Sequence, residues 1–233
     1  MLISSIKNFN TTSTQKIYST TFRAKVAPTK ALKNLGKDVL EITKTEKEKM
    51  ISGLMYNPSS DQLRADKAHA QDLWFRFNLT HPKKKEKRKK IIKELLGKTG
   101  EKFKIETGFK CDYGYNIEIG ENFFANYNLT ILDPGKVKFG DNVFIGPNCS
   151  FYTSHHPFDP ELRATGEQCA KPITVGNNVW FGGDVTVVGG VTIGDNVIIG
   201  AGSVVVKDLP SNTICCGNPC KVKKNNSPEK PLL

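Results

Sequence analysis

The sequence lacks any apolar run of the ~18 residues that a membrane-spanning helix needs, so it predicts no transmembrane segment. Histidine is scarce: there are four, and two of them are adjacent, which argues against a three-histidine metal site. None of the six cysteines is spaced as CxxC, so no metal is expected. Free cysteines of this kind are typical of a reducing compartment, and the expected location is the cytoplasm.

Acidic residues are absent from the first 37 positions, which carry seven basic side chains. Residues 1–42 are therefore predicted to be a basic, Ser/Thr-rich, disordered leader. Their composition also resembles a transit peptide, so a mitochondrial or other organelle location stays open if residues 1–40 are a targeting signal. Beyond position 37 the chain has 27 basic and 23 acidic residues, so the net charge of +11 does not indicate a nucleic-acid or membrane partner, and neither is expected.

The stretch 173–206 repeats every six residues. Apolar side chains recur at Val175, Phe181, Val187, Ile193, Ile199 and Val205. This period fits neither a 3.6-residue helix nor a plain hairpin, but it fits a coil in which every sixth side chain points into a narrow interior. The pattern therefore predicts a parallel β-helix, and the period alone leaves its hand undecided.

The repeat is interrupted by residues 154–172, which are charged, contain proline and show no six-residue pattern. A 19-residue excursion from a regular coil is uncommon and is usually functional. We expect a β-helix domain over 106–220 with this excursion loop, followed by a disordered polar tail over 221–233.

Residues 43–105 are expected to form a helical subdomain. Thr45 and Glu48 form a capping-box pattern for a first helix reaching Met55, and Asp61 is a candidate cap for a second helix. The basic run 83–90 is interpreted as the solvated face of a third helix, with a polyanion-binding patch as the alternative. The predicted fold class is therefore mainly β, a parallel β-helix with an N-terminal helical subdomain.

Two groups of residues are candidates for chemistry. His155 and His156 stand at the mouth of the excursion, and a neutral imidazole can take a proton from an alcohol or amine near pH 7. Asp112, Asn126 and Asp133 lie in earlier coils, where parallel stacking would bring them to the same side. The alternative is a pair of exposed loop histidines without function. Lysines of the last coils and tail are candidates for binding phosphates, or serve solubility.

Several strings resemble the maltose and galactoside O-acetyltransferases, which are hexapeptide-repeat acyltransferases. They are EKEKMISGLMY (46–56), CDYGYNIEIGENFFANYNLTILD (111–133), HPFDPELR (156–163), KPITVGNNVWFGG (171–183), GVTIGDNVIIGAGSVVVKDLPSN (190–212) and GNPCKV (217–222). The resemblance covers residues 46–224. It implies that the β-helix is left-handed, that the chain forms a homotrimer with active sites between subunits, and that acetyl-CoA donates an acetyl group to a sugar or other small hydroxyl acceptor.

The resemblance also assigns roles by position. His156, the histidine directly before Pro157, is the general base, and His155→Ala is expected to be mild. The acceptor-binding positions are Asp112, Asn126, Asp133 and, from the helical segment, Asp61. The coenzyme-binding positions are Gly183, Ala201, Val206, Lys207, Lys221 and Lys224. Some members have arginine in place of the last two lysines, and lysine keeps the charge but not the bidentate geometry.

The expected function is acetyl-CoA-dependent acetylation of a sugar hydroxyl, on maltose, glucose or a galactoside-like compound, with His156 as the base. One alternative is a trimeric β-helix scaffold without catalysis. The other is an acetyltransferase for an acceptor that is not a sugar.

Overall fold

The computed structural model describes residues 44–226, and the predicted leader and the end of the predicted tail lie outside them. None of the helices in this part of the chain is long and apolar enough to cross a membrane. The prediction of a mainly β chain that folds as a parallel β-helix is confirmed.

Three helices precede the coil: α1 (Glu46–Ile51), α2 (Asp61–Leu79) and α3 (Lys85–Leu95). The predicted capping box at the start of α1 is present, with Thr45 and Glu48 each bonding the other's backbone. Helix α1 ends at Ile51, earlier than expected, because Gly53 turns the chain at a φ of 73°.

Helix α3 carries the basic run, and most of its lysines are exposed as expected. Arg88 is the exception. Its side chain is buried, and its guanidinium donates to the carbonyl oxygens of Phe77, Thr80 and Ile105 at 3.0–3.1 Å. Because these carbonyls belong to the end of α2 and to the first coil, Arg88 joins the helices to the β-helix.

The coil has three faces, and each face is a parallel sheet. One face ends in an additional antiparallel strand. The seven-strand face holds β1 (Phe103–Ile105), β4 (Phe123–Ala125), β7 (Phe144–Ile145), β12 (Trp180–Phe181), β15 (Ile198–Ile199), β17 (Thr213–Cys216) and the antiparallel β18 (Lys221–Asn225). The five-strand face holds β2 (Lys110–Cys111), β5 (Thr130–Leu132), β8 (Ser150–Tyr152), β13 (Thr186–Val188) and β16 (Val204–Val205). The four-strand face holds β3 (Ile117–Glu118), β6 (Val137–Phe139), β11 (Ile173–Val175) and β14 (Thr192–Ile193).

The coil interior is filled by the repeated apolar positions. Phe123, Phe139, Phe151 and Phe181 are buried and stack edge to face, with ring centroids 5.0–5.3 Å apart. This geometry is favoured by the aromatic quadrupole. The six-residue period thus identified the core correctly.

Each turn of the coil passes from the four-strand face to the seven-strand face, then to the five-strand face and back. We name the corners by the faces they join. At the four-to-seven corner Asn122, Asn142, Asn178, Asn196 and Asn212 all have φ between 53° and 60°. Asparagine tolerates this left-handed conformation, and the stacked amides of Asn122, Asn142 and Asn178 are hydrogen-bonded at 2.9–3.0 Å.

Two boundaries differ from the predicted ones. Strand β1 begins at Phe103, inside the range assigned to the helical subdomain, and pairs with β4 of the coil. Residues 221–225, expected to be disordered tail, form β18, because their backbone pairs with β17 and covers that edge of the sheet. The excursion contains β9 (Ser154–His155), the short helix α4 (Pro160–Ala164) and β10 (Cys169–Ala170).

Candidate active site

The excursion leaves and rejoins the coil through a narrow neck at the five-to-four corner. Strands β9 and β10 pair antiparallel, and the backbone N–H of Lys171 donates to the carbonyl of Thr153 at 2.9 Å. His156, the predicted base, follows β9 directly and its side chain is exposed. The neck therefore presents His156 at the mouth of the excursion, where an imidazole can meet an incoming hydroxyl.

Asp112 follows β2 and lies at the same corner, two coils before the neck. Its Oδ1 is 2.7 Å from Nζ of Lys67, which comes from helix α2. The Asp112 side chain is 14 % exposed and that of Lys67 is 47 % exposed, so the ammonium group faces solvent more than the carboxylate does. Helix α2 thus supplies part of the candidate site, through a lysine that no spacing in the sequence had indicated.

The structure corrects the prediction for Asp133, because its side chain is fully buried and faces inward. Its Oδ1 accepts from the backbone N–H groups of Asp112 and Tyr113, and its Oδ2 from that of Gly114, at 2.8–3.0 Å. Burial and the neighbouring charge of Asp112 together raise the pKa of Asp133 to about 7, although the three N–H donors act to lower it. Asp133 therefore shapes the turn that carries Asp112 and is not placed to contact an acceptor.

Asn126 lies on a different edge of the coil from His156. It follows β4 on the seven-strand face, and its Oδ1 accepts from the N–H of Tyr127 at 2.9 Å. It lines a cavity of about 370 Å³ together with Phe124, Phe144, Ile145, Gly146 and Trp180. The whole five-strand face separates this cavity from the neck, so one chain does not bring Asn126 and His156 together.

The predicted coenzyme positions also divide between these two edges. Gly183 and Ala201 follow strands of the seven-strand face, in line with Asn126, and Lys221 and Lys224 lie exposed on β18 of that face. Val206 and Lys207 follow β16 of the five-strand face and are exposed at the corner that carries the neck. The predicted coenzyme positions thus place small residues on one edge and cationic side chains on both.

Among the described residues, the predicted acceptor residue Asp61 makes no hydrogen bond or ion pair with a residue of either edge. It is the first residue of α2, its side chain is 97 % exposed, and it forms an ion pair with Arg64 of the same helix. The helical segment instead meets the excursion through Tyr56, whose backbone N–H and C=O pair with those of Gln168 at 3.0 and 3.2 Å.

A separate cavity lies outside these edges. A cavity of about 680 Å³ opens between α3, the end of α2 and β1, away from the neck. Within residues 44–226 no group of three or more His, Cys, Asp or Glu side chains is arranged to hold a metal ion.

Comparison with known proteins identifies the family. Residues 49–100 match the maltose acetyltransferase hexapeptide capping motif, and residues 172–207 match the bacterial transferase hexapeptide of six repeats. The galactoside O-acetyltransferase of Escherichia coli is 45 % identical over 175 residues, which cover 75 % of this chain and 86 % of that protein. The chain belongs to the maltose and galactoside O-acetyltransferase family.

Solved structures of this family superpose closely on the chain. A maltose O-acetyltransferase from Clostridium difficile 630 gives a TM-score of 0.78 at 46 % identity, covering 79 % of this chain and 98 % of that one. A galactoside acetyltransferase in complex with coenzyme A gives 0.77 at 42 % identity, covering 79 % and 92 %. The family resemblance predicted from the sequence is confirmed, and with it the assignment of the chain to the acyltransferases.

Proposed function

We propose that this protein transfers the acetyl group of acetyl-CoA to a hydroxyl of a sugar such as maltose, glucose or a galactoside, in a site built between copies of the chain. His156 is the general base. The observation that carries the proposal is the division of the site residues between two edges of one coil, one holding His156 and the other Asn126.

A second copy supplies what each edge lacks. The neck edge of one chain, with His156, Asp112 and Lys207, faces the Asn126 edge of the next. The exposed aromatic side chains of Phe144 and Trp180, 48 % and 53 % exposed, lie beside Asn126 and favour a protein contact there. Repeating the same contact around a threefold axis closes a homotrimer with three equivalent sites.

The chemistry needs an acceptor hydroxyl that loses its proton as it attacks. An imidazole nitrogen of His156 takes that proton while the hydroxyl oxygen bonds to the thioester carbonyl carbon. The C–S bond then breaks, and the imidazolium returns the proton to the leaving thiolate, so that coenzyme A departs as a thiol. Direct transfer needs no acyl-enzyme.

The coenzyme is held by small residues and lysines. Gly146, Gly182 and Gly200 stand in register on successive coils. The N–H of Gly146 donates to the carbonyl of Phe181 and that of Gly182 to the carbonyl of Ile199, and a Cβ on Gly182 would lie only 2.6 Å from the backbone of Ala201. These glycines let successive coils pack closely, whereas Ala201 and Gly202 beside them are exposed and leave the backbone open to a thin chain. Lys207, Lys221 and Lys224 are exposed and offer charge for phosphates.

Subunit mixing tests the shared site. His156→Ala and Asn126→Ala should each lower turnover, the first by roughly 10²-fold or more. If the two residues act from neighbouring copies, trimers reassembled from equal amounts of both variants contain intact sites and recover about a quarter of wild-type activity. Thiol release from acetyl-CoA with maltose is the measurement. Absence of recovery, with mixed trimers shown by mass spectrometry, would mean that each site lies within one chain.

An acceptor screen tests the substrate class. Glucose, maltose and a galactoside should release thiol, whereas serine and a primary amine should not. Release with serine or the amine alone would identify a different acceptor class, and release with none would favour a scaffold without catalysis.

A further inference from the structure

His155 and Gly189 form a contact that the proposed reaction does not use. A Cβ added to Gly189 would lie 2.8 Å from Nε2 of His155 and 2.9 Å from the carbonyl oxygens of Thr153 and Lys171. No side chain larger than hydrogen fits there. The ring of His155 therefore packs directly on the backbone of the turn at Gly189, and its Nε2 is buried without a hydrogen-bond partner among the described residues.

This contact lies at the base of the neck. His155 stands opposite Cys169 in the two-residue ladder of β9 and β10. Beside it, Lys171 bonds to Thr153, and Gly190 donates to the carbonyl of Pro172 at 2.8 Å. The ring thus lies where the departing chain, the returning chain and the next coil meet, and it fills the space between them.

The side chain of His156 points in the opposite direction to that of His155. Successive side chains of an extended chain alternate in direction, and a residue before proline is held extended. With His155 seated on Gly189, His156 is directed outward, and its side chain is exposed.

We propose that His155 is a positioning residue: it sets the direction of His156 by packing against Gly189. The proposal rests on the proposed role of His156. It predicts a larger loss of activity in His155→Ala than the mild effect expected from the sequence. Because the contact is steric, the size of the side chain matters and its ability to carry a proton does not.

Three substitutions test this. His155→Ala empties the contact and should lower kcat about 10- to 100-fold, since displacing a catalytic group by about 1 Å lowers the rate by a similar factor. His155→Gln restores a side chain of similar reach without an imidazole and should recover most of that kcat. His69→Ala, which removes an exposed histidine of α2, should leave kcat unchanged. Acetyl-CoA binding, measured by calorimetry, should be unaltered in all three.

The pH profile separates positioning from catalysis. In His155→Ala the plateau of kcat should fall while the midpoint of its acid limb stays in place, because His156 still does the proton transfer. A wild-type kcat in His155→Ala, or a His155→Gln variant as inactive as His155→Ala, would overturn the proposal while leaving His156 as the base. A wild-type kcat in His156→Ala would instead overturn the proposed function.

Discussion

At the scale of single residues, Asp133 stabilises the fold where the sequence suggested a substrate contact. Its carboxylate satisfies three backbone N–H groups in the turn 112–114. Asp133→Ala leaves these buried donors unpaired, and we expect it to lower the free energy of unfolding by roughly 3 kcal/mol or more, since each unpaired group costs about 1–3 kcal/mol. Asp133→Asn keeps an acceptor but turns an NH₂ group toward one donor, so its loss should be smaller. Urea denaturation measures both, and equal stability of Asp133→Ala and wild type would contradict this role.

At the scale of elements, the coil depends on its corners. Asn142 has a φ of 56°, accepts from the amide of Asn122 and donates to that of Asn178. Asn142→Ala keeps a Cβ in the left-handed region without the polar side chain that lets asparagine tolerate it, which costs about 1–2 kcal/mol relative to glycine, whereas Asn142→Gly loses the same amide bonds without that penalty. We therefore expect the alanine variant to be the less stable by about 1–2 kcal/mol in chemical denaturation. A glycine variant as unstable as the alanine variant would show that the ladder of amides, and not the backbone conformation, dominates.

At the scale of the whole molecule, we expect the seven-strand face to carry the contact of the proposed trimer. Trp180 is more than half exposed, and it lies between Phe144 and Ile198 on the neighbouring strands. A tryptophan at the centre of an interface contributes about 2 kcal/mol or more, and a carboxylate in its place also has to be desolvated. Trp180→Glu should therefore dissociate the proposed trimer, seen as a lower mass in sedimentation, and activity should fall with it. Thr174→Glu, on the exposed four-strand face, is the matched control. A Trp180→Glu protein that stays trimeric would place the interface elsewhere.

Much of the fold could be predicted from the sequence because its determinants are local or periodic. The six-residue spacing from Val175 to Val205 defines the coil interior, since each of these positions points inward from the next face and every third one stacks on the same face one turn later. Thr45 and Glu48 lie within one helical turn of each other, so the start of α1 was readable as well. The hand of the coil followed from family resemblance and not from the period.

The candidate site was predictable only in part. The excursion and its two histidines were visible because a break in a regular repeat can be read along the chain. The choice of His156 as the base came from the family resemblance and stays a prediction. The face on which each polar residue lies was not visible, because side chains alternate along a strand and a shift of one residue reverses their direction. Nothing in the sequence therefore indicated that Asp133, assigned to acceptor binding, is buried, or that the helical segment meets the excursion through Tyr56.

The sequence by itself determined a β-helix with an interrupted repeat, a helical prefix and an acetyltransferase family, because periodicity, capping and motif order are properties of the chain. The tertiary structure alone decided that Lys67 meets Asp112, that His155 packs on Gly189, and that Asn126 and His156 lie on different edges. These relations join residues far apart in the chain. They depend on which residues the successive turns of the coil stack on one another at each corner.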